Sequence, residues 1–94
     1  MELDKALKVP IYFKIISFFH ENPTSIDTPR GMSAWTGENR QDVKEALSKL
    51  AELRIITAHK VSSTTAYSFT RDPKLIKSID RILKKMKKSL ASES

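Results

Sequence analysis

Residues 28–56, with the sequence TPRGMSAWTGENRQDVKEALSKLAELRII, place the strongest constraint on the fold of this chain. Thr28 can cap a first helix, and Pro29 suits its first position, where the missing N–H would be unpaired in any case. Gly37 can adopt a positive φ and end this helix abruptly. Asn39 can cap a second helix soon afterwards. The stretch therefore predicts two helices joined by a tight turn.

The second of these helices has one apolar and one polar face. Its apolar residues recur at steps of three and four, which is the period of an α-helix. They are Val43, Ala46, Leu47, Leu50 and Leu53. The opposite face would meet solvent or a partner through Gln41, Lys44, Glu45, Ser48 and Glu52. Because Ile55 and Ile56 follow at once, we expect the helix to lead into a strand without a loop.

Length and composition limit the class of protein. A chain of 94 residues with 39% hydrophobic residues predicts one small globular domain. No run of 18 apolar residues occurs, so we expect no membrane span. The start, MELDKALKVP, carries two acids and does not resemble a signal peptide. The absence of cysteine excludes disulfides and thiolate metal sites, and it fits a cytoplasmic protein.

The segment before the central pair predicts a long buried helix from Pro10 to just before Pro23. It is apolar on most sides because of Ile11, Tyr12, Phe13, Ile15, Ile16, Phe18 and Phe19. Such a helix needs cover from several neighbours. Either the last helix of the same chain or a second subunit can supply that cover. Residues 3–8 predict a separate helical turn, and Ile26 suggests a very short strand.

The segment after the central pair predicts a β-hairpin. The runs ITAHKV and AYSFT contain β-branched and aromatic residues, and the polar tetrad Ser62–Thr65 separates them. Tyr67 and Phe69 alternate with Ser68 and Thr70, so we expect the first two side chains to be buried and the other two to face solvent.

A final helix should begin near Pro73 and carry an apolar stripe along its length. The spacing of that stripe is typical of a short coiled-coil seam, which predicts a homodimer. The predicted dimer interface comprises Ile76, Ile79, Ile82, Leu83, Met86 and Leu90. In the alternative arrangement, the helix folds back onto Phe13, Ile16 and Phe19 of its own chain.

The net charge of +6 is concentrated in the last third of the chain. Residues 1–37 hold four basic and four acidic side chains, and residues 38–54 hold another four of each. Residues 72–94 hold seven basic and three acidic side chains. A basic excess favours nucleic acid or another polyanion as partner, although the lysines at 84–88 can equally form a solvated helix face. The excess lies away from the second helix of the central pair.

The predicted order is helix, short strand, helix, helix, strand, strand and helix, a mainly α protein with a small β-hairpin (α+β). Over residues 10–72 this order resembles the winged helix-turn-helix family. The resemblance rests on Met32, Ser33, Thr36, Gly37, Val43, Leu47, Leu50, the run 53–56 and the run 66–70. The chain is similar to small prokaryotic transcriptional regulators of the multiple-antibiotic-resistance and arsenical-resistance types. We therefore expect one winged-helix domain over residues 1–94, with 73–90 as an added C-terminal helix.

The resemblance implies a DNA-binding transcriptional regulator. Helix 39–53 would enter the major groove of double-stranded DNA, and hairpin 55–70 would be the wing. The resemblance implies DNA contacts at two sets of positions. They are Asn39, Arg40, Gln41, Lys44 and Ser48 in the helix, and Lys60, Ser62, Ser63, Thr64 and Thr65 in the wing. Their chemistry is suitable, because arginine pairs with guanine and asparagine or glutamine with adenine. The residues indicate no cofactor and identify no small-molecule effector.

Acidic residues in the same helix support a rival hypothesis. Glu38, Asp42, Glu45 and Glu52 would repel phosphates if they faced DNA. In the rival hypothesis, the basic residues belong to a solvated face with local ion pairs such as Glu45–Lys49. The chain would then be a winged-helix module that binds protein rather than DNA. Trp35 fits a core anchor or an exposed partner contact better than a base-stacking platform.

Catalysis and metal binding have little support in the sequence. His20 and His59 lack an acidic or cysteine companion at metal-ligand spacing. Gly31 and Gly37 are the only glycines, so a glycine-rich phosphate loop is excluded. No Ser/His/Asp set is recognisable. We therefore expect a protein that is not an enzyme and that has no metal site.

Overall fold

The computed structural model describes residues 3–93, and the side chains of residues 3–88. The described helices are α1 (Leu3–Ala6), α2 (Pro10–Glu21), α3 (Pro29–Thr36), α4 (Arg40–Glu52) and α5 (Pro73–Glu93). The described strands are β1 (Ile26–Asp27), β2 (Ile56–Val61) and β3 (Thr64–Phe69). This is the predicted order, a mostly helical winged helix with one small antiparallel sheet. Among residues 3–93, no helix combines the length and apolar character needed to cross a membrane.

Local capping chemistry fixes the ends of α3 and α4. The Thr28 hydroxyl accepts a hydrogen bond from the Gly31 amide at 3.2 Å, as an N-cap should. Gly37 ends α3 with a φ of 77°, in the left-handed region. The Asn39 side chain then accepts from the Asp42 amide at 2.8 Å and caps α4. The predicted two-helix unit with its tight turn is confirmed.

The sheet has the strand order β1-β3-β2, with both pairings antiparallel. The predicted short strand at Ile26 is present, and Ile26 lies opposite Ser68. The hairpin loop is shorter than predicted. Val61 pairs with Thr64, so only Ser62 and Ser63 form the loop, and the rest of the predicted tetrad belongs to β3. Ser62 has a φ of 56°, and a two-residue type II′ turn needs positive φ at this first position.

The junction between α4 and β2 also differs from the prediction, which had no loop. The amide of Arg54 donates to the Ala51 carbonyl, and the amide of Ile55 donates to the Leu50 carbonyl, each at 3.0 Å. These are the two hydrogen bonds of a Schellman motif, which requires a left-handed residue after the helix. Arg54 occupies that position with a φ of 63°. The strand therefore begins at Ile56 rather than at Ile55.

The core lies between the helices and the inner face of the sheet. The fully buried larger side chains are Leu7, Ile15, Ile16, Phe19, Met32, Val43, Leu47, Leu50, Ile56 and Ile79. Tyr67 and Phe69 are buried as predicted. The prediction for Thr70 was wrong, because it is only 8% exposed and its amide donates to the Ile55 carbonyl at 3.0 Å.

Helix α5 supplies part of this core. Ile79 is 0% exposed and Leu83 is 4% exposed within a single chain, so these two members of the predicted dimer seam are already covered. Ile76, Ile82 and Met86 are half-buried and pack against the margin of the core. The side chain of Leu90 lies outside the described residues. The cover that α2 needs therefore comes at least in part from its own chain.

Candidate nucleic-acid interface

A polar network fixes the turn that orients α4 relative to α3. The Lys14 amine of α2 donates to the Thr36 carbonyl at 3.3 Å and forms an ion pair with the Glu38 carboxylate at 2.9 Å. The Glu38 amide donates to the Thr36 hydroxyl at 3.2 Å, and the Ser33 hydroxyl donates to the Glu38 carbonyl. Side chains of α2 and α3 thus hold the turn. The same network pairs the charge of Glu38 with a cation.

The side chains predicted to contact DNA from α4 lie on its exposed surface. The exposed set is Asn39, Arg40, Gln41, Lys44 and Ser48. Arg40 and Lys44 are one turn apart and therefore neighbours on the helix surface. Within the part of the chain whose side chains are described, neither makes an ion pair or a side-chain hydrogen bond. Two cations on the outer side of α4 are thus available to a partner.

The four acidic residues near α4 fall into two groups. Glu38 pairs with Lys14, and Glu52 pairs with Lys49 at 3.5 Å. The expected Glu45–Lys49 pair is therefore not the one that forms. Asp42 and Glu45 instead accept hydrogen bonds from neutral amides, which leave their negative charge uncompensated.

The amides that hold those two carboxylates differ in what they leave free. Asn39 uses its oxygen to cap α4 and its nitrogen to bond Asp42 at 2.7 Å, so it has a structural role. Gln41 donates one N–H to Glu45 at 3.2 Å, and its oxygen makes no hydrogen bond in the described part of the chain. Gln41 therefore retains one acceptor and one donor, the pair that an adenine edge requires.

The hairpin presents mainly hydroxyl groups at its end. Lys60, Ser62, Ser63 and Thr64 are exposed, whereas Thr65 is half-buried. Lys60 pairs with Thr65 in the strand register, one step from the loop. The end of the wing therefore offers one cation with several small hydrogen-bonding groups, which suits contacts to a phosphate backbone.

Arg54 is a candidate that the sequence did not reveal. Its side chain is exposed and makes no ion pair among the described residues, and its left-handed backbone is a conformation that glycine adopts more easily. A strained non-glycine residue at a surface position often marks a functional role. No sequence pattern indicates this, because the residue after a helix shows its φ only in the structure.

Two other singled-out groups have structural partners. Trp35 is 53% exposed, and its ring packs edge-on against Phe18 with ring centroids 4.8 Å apart, so it is a surface aromatic rather than a core anchor.

His20 bonds Asp80 of α5 at 3.1 Å. Hydrogen bonds from Lys84 and then His20 hold the pKa of the Asp80 carboxyl below its ordinary value. Within residues 3–93, no three His, Cys, Asp or Glu residues cluster as metal ligands would.

Comparison with known proteins gives similarity of structure but not of sequence. No family model matches the chain, and no curated protein matches it. The antimony-specific transcriptional repressor AntR superposes with a TM-score of 0.73 at 18% identity, over 93% of this chain and 76% of AntR. Apo ZitR from Lactococcus lactis has a TM-score of 0.63 at 16% identity, over 88% of this chain and 64% of ZitR.

A third similar structure is MepR, a transcription regulator of the Staphylococcus aureus multidrug efflux pump MepA. It has a TM-score of 0.65 at 14% identity, over 92% of this chain and 64% of MepR. The chain thus spans just under two thirds of ZitR and of MepR. These likenesses confirm the predicted winged-helix fold.

Proposed function

We propose that this protein is a DNA-binding transcriptional regulator, acting in the cytoplasm, that places α4 in the major groove and the β2–β3 hairpin against the backbone. The observation that carries the proposal is the pair of exposed cations Arg40 and Lys44, unpaired within the described residues, on a helix whose entry turn is held by both α2 and α3. AntR and MepR, which share the fold, are described as a transcriptional repressor and a transcription regulator.

The proposed contacts follow from the chemistry of each side chain. Lys44 is a point charge that suits a phosphate, whereas Arg40 can donate two hydrogen bonds to a guanine edge. Gln41 retains the donor and acceptor for adenine. Phosphate contacts are assigned to Ser48 in α4, Arg54 after it, and Lys60, Ser62, Ser63 and Thr64 in the wing.

We further propose that two chains pair through the half-buried apolar residues of α5 to present two copies of α4 to a two-fold site. The half-buried residues Ile76, Ile82 and Met86 are available for this contact, with Leu90 as its proposed continuation. Light scattering on the parent and on an Ile82→Glu, Met86→Glu variant tests the dimer. A folded variant that becomes monomeric would support it, and a parent monomeric at tens of micromolar would exclude it.

The rival function is a winged-helix module that binds another protein. It is favoured by the uncompensated carboxylates of Asp42 and Glu45 on α4, and by the exposed Trp35 ring. Large aromatic side chains are enriched at protein interfaces, and carboxylates on a DNA-facing helix oppose binding. The two functions differ in whether the protein binds duplex DNA at low salt.

A salt-titrated binding assay on mixed-sequence duplex DNA tests the proposal. We expect the logarithm of the binding constant to fall linearly with the logarithm of salt, by about 0.9 per phosphate contact. Lys44→Ala should reduce this slope by about one unit. Arg40→Ala should weaken the free energy of binding to a preferred site by about 1–3 kcal/mol. Lys5→Ala, an exposed lysine of α1, is the control. Absence of binding to any duplex at low salt would favour the interaction module.

A further inference from the structure

The basic residues of the described chain are most concentrated on α5 rather than on α4. Lys74, Lys77, Arg81 and Lys85 follow one another at steps of three, four and four residues. With ~3.6 residues per turn they fall within an arc of about 80° and extend over about 16 Å of helix. All four side chains are exposed. We call this set the α5 basic stripe.

The protein itself does not neutralise the α5 basic stripe. None of its four side chains makes an ion pair or hydrogen bond to the rest of the described chain. Asp80, the acid of this part of α5, lies on the flank, where it pairs with Lys84 at 3.0 Å and with His20 at 3.1 Å.

The α5 basic stripe also points away from the core. The fully buried side chains of α5, Ile79 and Leu83, lie on the opposite side of the helix by the helical period. Like charges four residues apart, such as Lys77 with Arg81 and Arg81 with Lys85, oppose helix formation. An ordinary solvated face alternates the sign of its charges, and this one does not.

We propose that the α5 basic stripe binds the sugar-phosphate backbone of duplex nucleic acid without reading its sequence, as a contact surface additional to α4 and the wing. This deepens the proposed function, since it takes the same class of partner. A duplex carries one negative charge per ~1.7 Å of its axis, so about nine charges lie along the length of the stripe. Lysine is suited to phosphates as a point charge and carries little base specificity.

The structure favours a duplex over an anionic membrane as the partner. A helix that lies on a membrane inserts its apolar face into the lipid. In α5 that face is occupied, because Ile79 and Leu83 are packed in the core. The charged side can contact phosphates without insertion.

The test compares two variants that remove the same charge from different places. Lys77→Gln, Arg81→Gln, Lys85→Gln removes three charges from the stripe. Lys5→Gln, Arg30→Gln, Arg71→Gln removes three exposed charges elsewhere. Each lowers the formal net charge from +6 by three units, so that a general effect of charge is matched. Binding of a random-sequence duplex is measured by fluorescence anisotropy from 50 to 200 mM salt, with circular dichroism to verify folding.

The stripe variant should flatten the salt slope by about 2.7, since each phosphate contact contributes about 0.9. Over this fourfold range of salt, three contacts correspond to about a fortyfold change in affinity. The control variant should change the slope by much less. Because the replaced side chains are exposed and repel one another, the stripe variant should melt no lower than the parent.

An Arg40→Ala, Lys44→Ala variant separates this inference from the proposed function. Random-sequence binding that survives in this variant and is lost in the stripe variant supports the inference. Equal losses of duplex affinity in the stripe and control variants overturn the inference. The proposed function is then tested by the α4 variant alone. A parent that binds no duplex overturns both. The inference would also be overturned, in favour of a membrane, if the stripe variant bound phosphatidylserine vesicles more weakly than the parent but bound the duplex equally well.

Discussion

Removal of one carboxylate from α4 is the sharpest test of whether this helix faces DNA. Glu45 is exposed and is held only by the neutral Gln41 amide at 3.2 Å, so its full negative charge would stand near the phosphates. Two unit charges in water interact by about 1 kcal/mol at ~4 Å and by about half of that at ~8 Å. Glu45→Gln should therefore strengthen DNA binding by about 0.5–1 kcal/mol, or about two- to fivefold.

The assay is anisotropy on one duplex at two salt concentrations, since screening should reduce the gain at higher salt. Glu21→Gln is the matched control, because Glu21 is exposed at the end of α2 and carries the same charge. The gain should be specific to position 45. An equal gain in both variants would show only a general effect of net charge, and a loss of binding in Glu45→Gln would show that the carboxylate holds Gln41 in place for a base contact.

Three further predictions concern stability. Leu47→Ala should lower the free energy of unfolding, measured by urea denaturation, by about 2–5 kcal/mol because the side chain is 0% exposed. A variant as stable as the parent would contradict the assigned packing. Arg54→Gly should raise stability by about 1–2 kcal/mol by relieving the left-handed backbone, while it weakens DNA binding if the guanidinium contacts a phosphate. Hydrogen bonds from Lys84 and His20 lower the pKa of Asp80, so this interaction stabilises the fold above the ordinary pKa of aspartate and is lost as pH falls through the lowered value. The stability difference between the parent and Asp80→Asn should accordingly close at acid pH, and a difference that persists there would contradict this.

Local chemistry explains why the central pair of helices could be predicted from the sequence. The caps at Thr28 and Asn39 and the left-handed turn at Gly37 each depend on one residue and its near neighbours. The inward face of α4 depends on a single helical period, and Val43 and Leu50 are fully buried accordingly. Such features need no knowledge of the rest of the chain.

The features that the sequence did not predict depend on distant partners or on unusual backbone. Ser62 and Arg54 adopt positive φ without being glycine, so neither the two-residue hairpin loop nor the Schellman motif has a sequence signature. Thr70 is buried, and its amide continues the β2–β3 pairing by donating to the Ile55 carbonyl, a partner fifteen residues away in the sequence. The covering of Ile79 within one chain reflects how α5 docks, which periodicity alone does not decide.

Ion pairing, rather than the count of charges, decides what α4 can do. Residues 38–54 hold equal numbers of basic and acidic side chains. Of these, Glu38 is paired with Lys14 and Glu52 with Lys49.

The pairing leaves three unpaired cations, Arg40, Lys44 and Arg54, against the two carboxylates of Asp42 and Glu45. So small an excess gives weak general attraction to phosphates, but the mixture of donors and acceptors suits discrimination between bases. If α4 binds DNA as proposed, general attraction to phosphates has to come from another surface. The α5 basic stripe is the part of the described chain whose charge matches that need. Changes in the stripe should therefore alter the salt dependence of DNA binding, whereas changes in α4 should alter the preference for one DNA sequence over another.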